Sequence, residues 1–491
     1  MNSDVDTVRR QGRPKHPLLV GLAGCSVLLA ACGAGHASGS HATTTTTTKT
    51  AGSSSTTTPT TTATPTTAAT STTEPAADAT TQVPLVVPSG NGSGALSTPH
   101  TLTLPAGWTA EVWARVTGAR MEAWTPGGDL LVSMPNAGDV VELTPASTPS
   151  AVPTQRVLLS GLTNPQGLAF AKVGGHETLF VGESNAIDRY PWTGEGIVGP
   201  KTVIAGDLPD LDPAGDDVHR YKDIAIGRNG TVYFDVGSSS NANPDDRTAS
   251  PQRGVIMSVQ PDGSDLHVVT TGVRNGEGLS IAPDGTLWSA INERDNVPYP
   301  FHQPYGGVSD AFGRQIQSYV DEHPPDEVAS ITQGRDLGWP YCNPDQDEST
   351  PAGSMIHVPL VADAVTNPNG TALDCASLAP VEVGLPAHSA PLGFHFLEGS
   401  TLPAPWSGGA VVAVHGSWDR QPPRAPAVLW MPWNSTSDTL QASVTLVGGF
   451  QDANGDRWGR PADAVAGPDG ALYVSDDTAG AIYRIIPATD G

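Results

Sequence analysis

The chain has 491 residues, with 50 acidic against 25 basic side chains and a formal net charge of −25. A chain so acidic lacks the cationic stripe that phosphates require, which argues against nucleic acid as a partner and fits a soluble domain outside the cell. The 55 glycines and 45 prolines suit short strands and turns better than helices, so an all-β fold is expected.

At the N-terminus, Arg9, Arg10, Arg13 and Lys15 precede an apolar stretch from Leu18 to Ala31, too short for a membrane span with these flanks. The stretch closes on Leu29-Ala30-Ala31-Cys32-Gly33, which resembles a bacterial lipobox. In such signals the cysteine is lipidated and becomes the mature N-terminus. Residues 1–32 are therefore expected to be a lipoprotein signal with Cys32 lipidated. A plain secretory signal cut nearby is the other reading. From His41 to Gln82 the sequence is almost entirely Thr, Ala, Pro and Ser, with little to bury. Residues 33–95 are expected to form a disordered tether, leaving residues 96–491 as the folded domain. The lipid anchor would be the chain's only link to the membrane.

Four cysteines are present. Cys25 falls in the signal and Cys32 is the lipidation site, so only Cys342 and Cys375 remain in the folded part. In an exported protein two remaining thiols read as a disulfide, with two free thiols the other reading.

Within the folded part a Gly-containing turn followed by alternating apolar residues recurs. It reads Pro-Gly-Gly-Asp-Leu-Leu-Val at 126–132 and Gly-Gly-His-Glu-Thr-Leu-Phe-Val at 174–181. Further copies are Arg-Asn-Gly-Thr-Val-Tyr-Phe at 228–234 and Pro-Asp-Gly-Thr-Leu-Trp at 283–288. The last two are Ser-Gly-Gly-Ala-Val-Val-Ala-Val at 407–414 and Pro-Asp-Gly-Ala-Leu-Tyr-Val at 468–474. Asn-Gly and Asp-Gly favour tight turns, and the period-two alternation is that of a half-buried strand. Six copies at one-blade spacing predict a six-bladed β-propeller. The wide gap between 283 and 407 must hold an insertion, and both core cysteines lie in it.

Propeller ligands bind where loops of several blades converge, so a site should be dispersed along the chain. Four segments carry suitable chemistry. Asp217-Val218-His219 stands just before a repeat turn, and its histidine can serve as a general base. An exposed loop histidine bonded to backbone is the plainer reading. Gly272-Val273-Arg274-Asn275 offers a planar fork matched to a carboxylate, or an arginine stitching neighbouring blades. His415-Gly416-Ser417-Trp418-Asp419-Arg420 and Trp458-Gly459-Arg460-Pro461-Ala462-Asp463 each set an arginine beside a tryptophan near a strand end, where surface stacking is the commoner role.

Together these segments resemble the glucose/sorbosone dehydrogenase family over nearly the whole chain beyond residue 100. Further marks are Gly237-Ser238-Ser239-Ser240-Asn241, Asn292-Glu293-Arg294-Asp295, and Pro324-Pro325-Asp326-Glu327 leading to Leu337-Gly338-Trp339-Pro340-Tyr341-Cys342. Ala387-His388-Ser389-Ala390-Pro391-Leu392-Gly393 and Val474-Ser475-Asp476-Asp477 complete the set.

The resemblance implies a sugar oxidoreductase that uses pyrroloquinoline quinone, lying across the propeller channel, and calcium. It assigns His219 as catalytic base and Arg274 as the stabiliser of negative charge on the reduced quinone. Arg274, Asn275, Trp418, Arg420 and Arg460 would bind the cofactor, whose three carboxylates suit arginine forks. Asp295, Asp326 and Glu327 would hold calcium, with a solvated acidic cluster as the plainer reading.

The chain departs from the family at Asp419, where the usual residue is Asn, and at Gly276-Glu277, which replaces a Pro-Gln or similar pair. It also lacks the cysteines many relatives carry around Ser239 to Asn243. Two extra acids would weaken quinone binding or divert the arginines. Two functions are therefore carried forward: a quinoprotein oxidising an aldose or related aldehyde, and a cofactor-free propeller binding carbohydrate or protein. The chain has no Cys-x-x-Cys-His haem motif, which leaves the electron acceptor open.

Overall fold

In the computed structural model, which describes residues 80–488 apart from 195, 212–218 and 347–353, every repeat turn joins the first and second strands of one sheet, paired antiparallel. The inner strands are Glu122–Trp124, Leu168–Val173, Ile224–Ile226, Gly278–Ile281, Pro391–Phe396 and Pro461–Ala466. Each packs beside the next in this order and the last beside the first, so they close a ring around a central channel. The fold is a six-bladed β-propeller.

The sixth blade is built from both ends of the described chain. Pro461–Ala466, Leu472–Asp476 and Ala481–Ile486 come from the C-terminal side. Its fourth strand is Thr109–Arg115, paired antiparallel with Ala481–Ile486 from Thr109↔Ile486 to Arg115↔Ala481. Two further strands, Thr80–Val86 and Thr101–Pro105, extend this sheet. The boundary expected at residue 95 therefore moves: from Thr80 the chain is strand, because Thr and Val favour the pleated surface that Thr101–Pro105 and Thr109–Arg115 offer on either side. The signal, Cys32 and the run before Thr80 lie outside the described residues.

The core lies between blades. Val411, Val428 and Trp430 of the fifth blade pack with Leu472, Val474 and Tyr483 of the sixth. Burying a side chain of this size contributes about 1.5–3 kcal/mol.

The wide gap in the repeat is filled by two excursions of the fourth blade. Residues 292–325 leave after its second strand, Leu287–Ile291, and return as Asp326–Ile331. Residues 332–380 follow, with a two-stranded ribbon of Cys342–Pro344 and Leu360–Ala362. Cys342 and Cys375 form a disulfide across this second excursion, with Cα atoms 5.8 Å apart. The repeat turns gather at one end of the channel. The segments entering the inner strands, and those leaving the second strands, gather at the other.

Candidate functional site

At that second end lies a cavity of about 300 Å³, walled by residues of five blades, among them Arg120, His219, Arg274, His388, His415 and Arg460. His219 reaches it from the segment ahead of Ile224–Ile226, with a left-handed backbone, φ 42°. The bare backbone of Gly237 makes room: a Cβ there would come 2.5 Å from the His219 carbonyl oxygen and 2.6 Å from its Cβ. Ser238 donates its hydroxyl to the Ser240 carbonyl at 2.8 Å. It can then only accept from the His219 Nδ1–H, 2.8 Å away. That tautomer leaves Nε2 with its lone pair and no partner among the described residues. Burial, and next the Arg274 guanidinium, hold this histidine well below the usual imidazole range, so it stays neutral.

Three arginines line the cavity, in different states. Arg274 is almost fully buried and its fork is taken: Nε donates to the Asn241 carbonyl, Nη1 to the Asn292 carbonyl, and Nη2 to Asp295 at 3.0 Å. Arg120 is held by Glu277 at 2.8 Å and Asp477 at 3.1 Å. Arg460 donates only Nε, to the His415 carbonyl at 2.9 Å, and among the described residues no carboxylate meets the rest of its fork.

Arg420 does not join them. Its guanidinium turns to the Asp321 and Pro422 carbonyls and to Glu322 at 2.6 Å, because the first excursion of the fourth blade offers it an acid outside the cavity. Its neighbour Trp418 stays at the cavity with 70% of its surface exposed. Asn275 also lines the wall, with its Oδ1 buried and unbonded.

Neither unexpected acid diverts the arginines assigned from sequence. Glu277 accepts from Arg120 and Gln166, both at 2.8 Å, and from Asn275 at 3.0 Å. Asp419 faces His388, Oδ1 to Nδ1 at 3.3 Å. Two of those arginines do meet other carboxylates, Arg274 at Asp295 and Arg420 at Glu322.

The expected calcium set is not brought together. Asp326 accepts the Glu293 amide at 2.8 Å and the Ala390 amide at 2.9 Å, so both its oxygens serve as cross-links. Glu327 is buried within the fourth blade, where burial and the nearby Glu293 carboxyl push it well above the usual carboxylate range. Only Asp295 lines the cavity. It forms a different cluster with His388 and Asp419, whose ligand atoms lie within 4.8 Å of one another.

This cluster has the chemistry of a cation site. His388 donates Nε2–H to the Val320 carbonyl at 2.5 Å, which leaves a lone pair on Nδ1. That lone pair faces Asp419 Oδ1, which is buried and has no hydrogen-bond partner among the described residues. Two acceptors face to face call for a proton or a cation between them. The carboxylates suit a hard ion such as calcium, and the imidazole adds a softer donor.

Sequence reasoning missed Arg120, Gln166 and the hydrogen bond of His415 Nε2 with Asp477 Oδ1 at 3.0 Å. A signal existed for Arg120: like Arg274 and Arg460, it sits a few residues ahead of a repeat turn. His388, His415 and Asp477 stood in the family marks without an assigned role.

A family model described as TrAA12-like matches residues 102–488. A protein of Borreliella burgdorferi, described only as uncharacterised, is 26% identical over 260 residues, 52% of this chain and 58% of that protein. A pyrroloquinoline quinone-dependent pyranose dehydrogenase of Coprinopsis cinerea is 33% identical over 121 residues, 21% of this chain and 15% of that one. The chain thus spans less than two thirds of the length of either relative. Among solved structures, the holo form of the quinone domain of the Coprinopsis cinerea pyranose dehydrogenase aligns with TM-score 0.63 at 19% identity, covering 82% of this chain and 100% of that one. A calcium structure of a Trichoderma reesei carbohydrate-active enzyme of family AA12 aligns with TM-score 0.62 at 18% identity, covering 79% and 96%. At such identities the structural likeness carries the fold.

Proposed function

The chain belongs to the TrAA12-like family, and from that premise we propose that it is a dehydrogenase oxidising an aldose or related aldehyde with pyrroloquinoline quinone. The observation that carries the reading is a neutral His219, its Nε2 without a partner among the described residues, in the same cavity as the open fork of Arg460.

The residues present suit such a cofactor. Arg460 would take one of its carboxylates, Asn275 Oδ1 would accept a hydrogen bond, and Trp418 would cover a planar ring system. Asp295, His388 and Asp419 would hold calcium. When bound, the quinone supplies the acceptor for hydride from the sugar's anomeric carbon. The protein's own part is a proton transfer: His219 Nε2 takes the proton of the anomeric hydroxyl while Ser238 holds Nδ1. Arg274, fixed by Asp295 and Asn241, adds positive charge beside developing negative charge.

The lipobox and the Thr-rich run support placing the domain outside the cytoplasm on a lipid anchor through Cys32. A cofactor-free carbohydrate-binding propeller is the second reading, favoured by the internal neutralisation of Arg120 and Arg274.

The test is dye reduction by the purified protein, loaded with quinone and calcium, across a panel of aldoses. A His219→Asn variant should lose about 10²–10⁴-fold in kcat while still binding the quinone. Full turnover in that variant would remove His219 as the base. A loaded wild-type protein inert towards every sugar would favour the binding reading.

A further inference from the structure

The repeat-turn end of the channel has a cavity of its own, about 390 Å³. Its wall is formed by the end of the inner strand Glu122–Trp124 and the turns that follow Pro391–Phe396 and Pro461–Ala466. Trp124, Phe396, Leu397, Val465 and Ala466 make it mainly apolar, and His395 is the titratable group set within it.

That histidine is built into place. Asp463 is completely buried and its carboxylate accepts from the Glu122 amide at 2.8 Å, the Ala464 amide at 2.8 Å and His395 Nε2 at 2.7 Å. The carboxylate fits only because residue 393 is glycine: a Cβ there would lie 1.9 Å from Asp463 Oδ1. With Nε2–H given to Asp463, the His395 Nδ1 has no partner among the described residues, and a third of the side chain stays exposed. Ser400 Oγ and Trp124 Nε1, on wall residues but buried beneath the surface, have no hydrogen-bond partner among the described residues.

We infer that this mouth is a second small-molecule site, and that it takes an uncharged one-ring phenol. Two aromatic rings and an aliphatic wall suit a flat ring, and a few convergent polar groups in an apolar pocket are the usual form of such a site. A phenolic hydroxyl can donate to Nδ1 of the neutral imidazole or accept from it when protonated, so it meets His395 in either state. An anion has no free cation to meet among the described residues of the wall: His395 is balanced by Asp463, and Glu398 at the rim is paired with Arg228 at 3.3 Å. A sugar would leave most of its hydroxyls unpaired against this wall, at the desolvation cost of each. The inference does not depend on the dehydrogenase reading, since none of these residues lines the other cavity.

The test is saturation-transfer NMR and calorimetry on the full chain, with phenol and hydroquinone as probes and benzoate and methyl glucoside as comparators. Both phenols should bind saturably at one site with submillimolar affinity, and saturating quinone at the other mouth should leave that affinity unchanged. Ala466→Trp, which fills the cavity and leaves the His395–Asp463 pair intact, should abolish binding. His395→Phe should weaken it at least tenfold. The inference is overturned if neither phenol binds saturably, if binding survives Ala466→Trp, or if benzoate or methyl glucoside binds as well as the phenols.

Discussion

Around Arg120 the cavity wall is a chain of charges: Glu277 and Asp477 share the guanidinium, and Asp477 also takes the Nε2 of His415. Burial alone would raise the Asp477 carboxyl, but the hydrogen bond from His415 and the charge of Arg120 bring it well below the usual range, while burial holds His415 itself below the usual imidazole range. A carboxyl lowered in the folded state stabilises above its unfolded pKa, and the contribution fades as pH falls through the folded value. Asp477→Asn should therefore cost about 2 kcal/mol at pH 7. The gap between variant and wild type should narrow in acid, below roughly pH 4. Urea unfolding at both pH values checks this, and an equal gap at both would refute it. At this scale the sequence was only partly readable. The segment of His219 could be found because a family motif surrounds it. The partners of Arg420, Asp326 and Glu327 could not, because they are supplied by excursions and neighbouring blades far away in the chain.

Strands and turns were more legible. The repeat turns stand out because Gly, Asp and Asn are demanded by the backbone itself, and each one does separate the first two strands of a blade. They mark the end of the channel away from the first cavity, so finding the blades did not by itself find the site. The two excursions of the fourth blade carry no such punctuation. The second is tied by Cys342–Cys375, a loop of sequence separation 33, which in the chain-entropy picture is worth about 3–4 kcal/mol. The same excursion supports the cavity, since Trp339 Nε1 donates to the Asn241 carbonyl at 3.2 Å and Asn241 in turn fixes Arg274. The Cys342→Ser/Cys375→Ser double variant should lose that stability in denaturant titrations. Unchanged unfolding would show that the excursion holds its shape without the link.

The propeller is a ring with two mouths, closed by pairing Thr109–Arg115 with Ala481–Ile486. Closure depends on strands nearly the full length of the domain apart, which no local pattern in the sequence reveals. It brings Arg120 from the first blade and Arg460 and Asp477 from the sixth to one wall, and makes a cavity where the chain's acidity is locally offset. We propose that this wall holds an anionic planar quinone. A titration of pyrroloquinoline quinone into the purified protein with calcium present, followed by absorbance and calorimetry, tests this. Saturable one-to-one binding at micromolar concentration is the predicted result, weakened at least tenfold by Arg460→Ala and left unchanged by Arg420→Ala. No saturable binding, or equal binding to the Arg460→Ala variant, would contradict it.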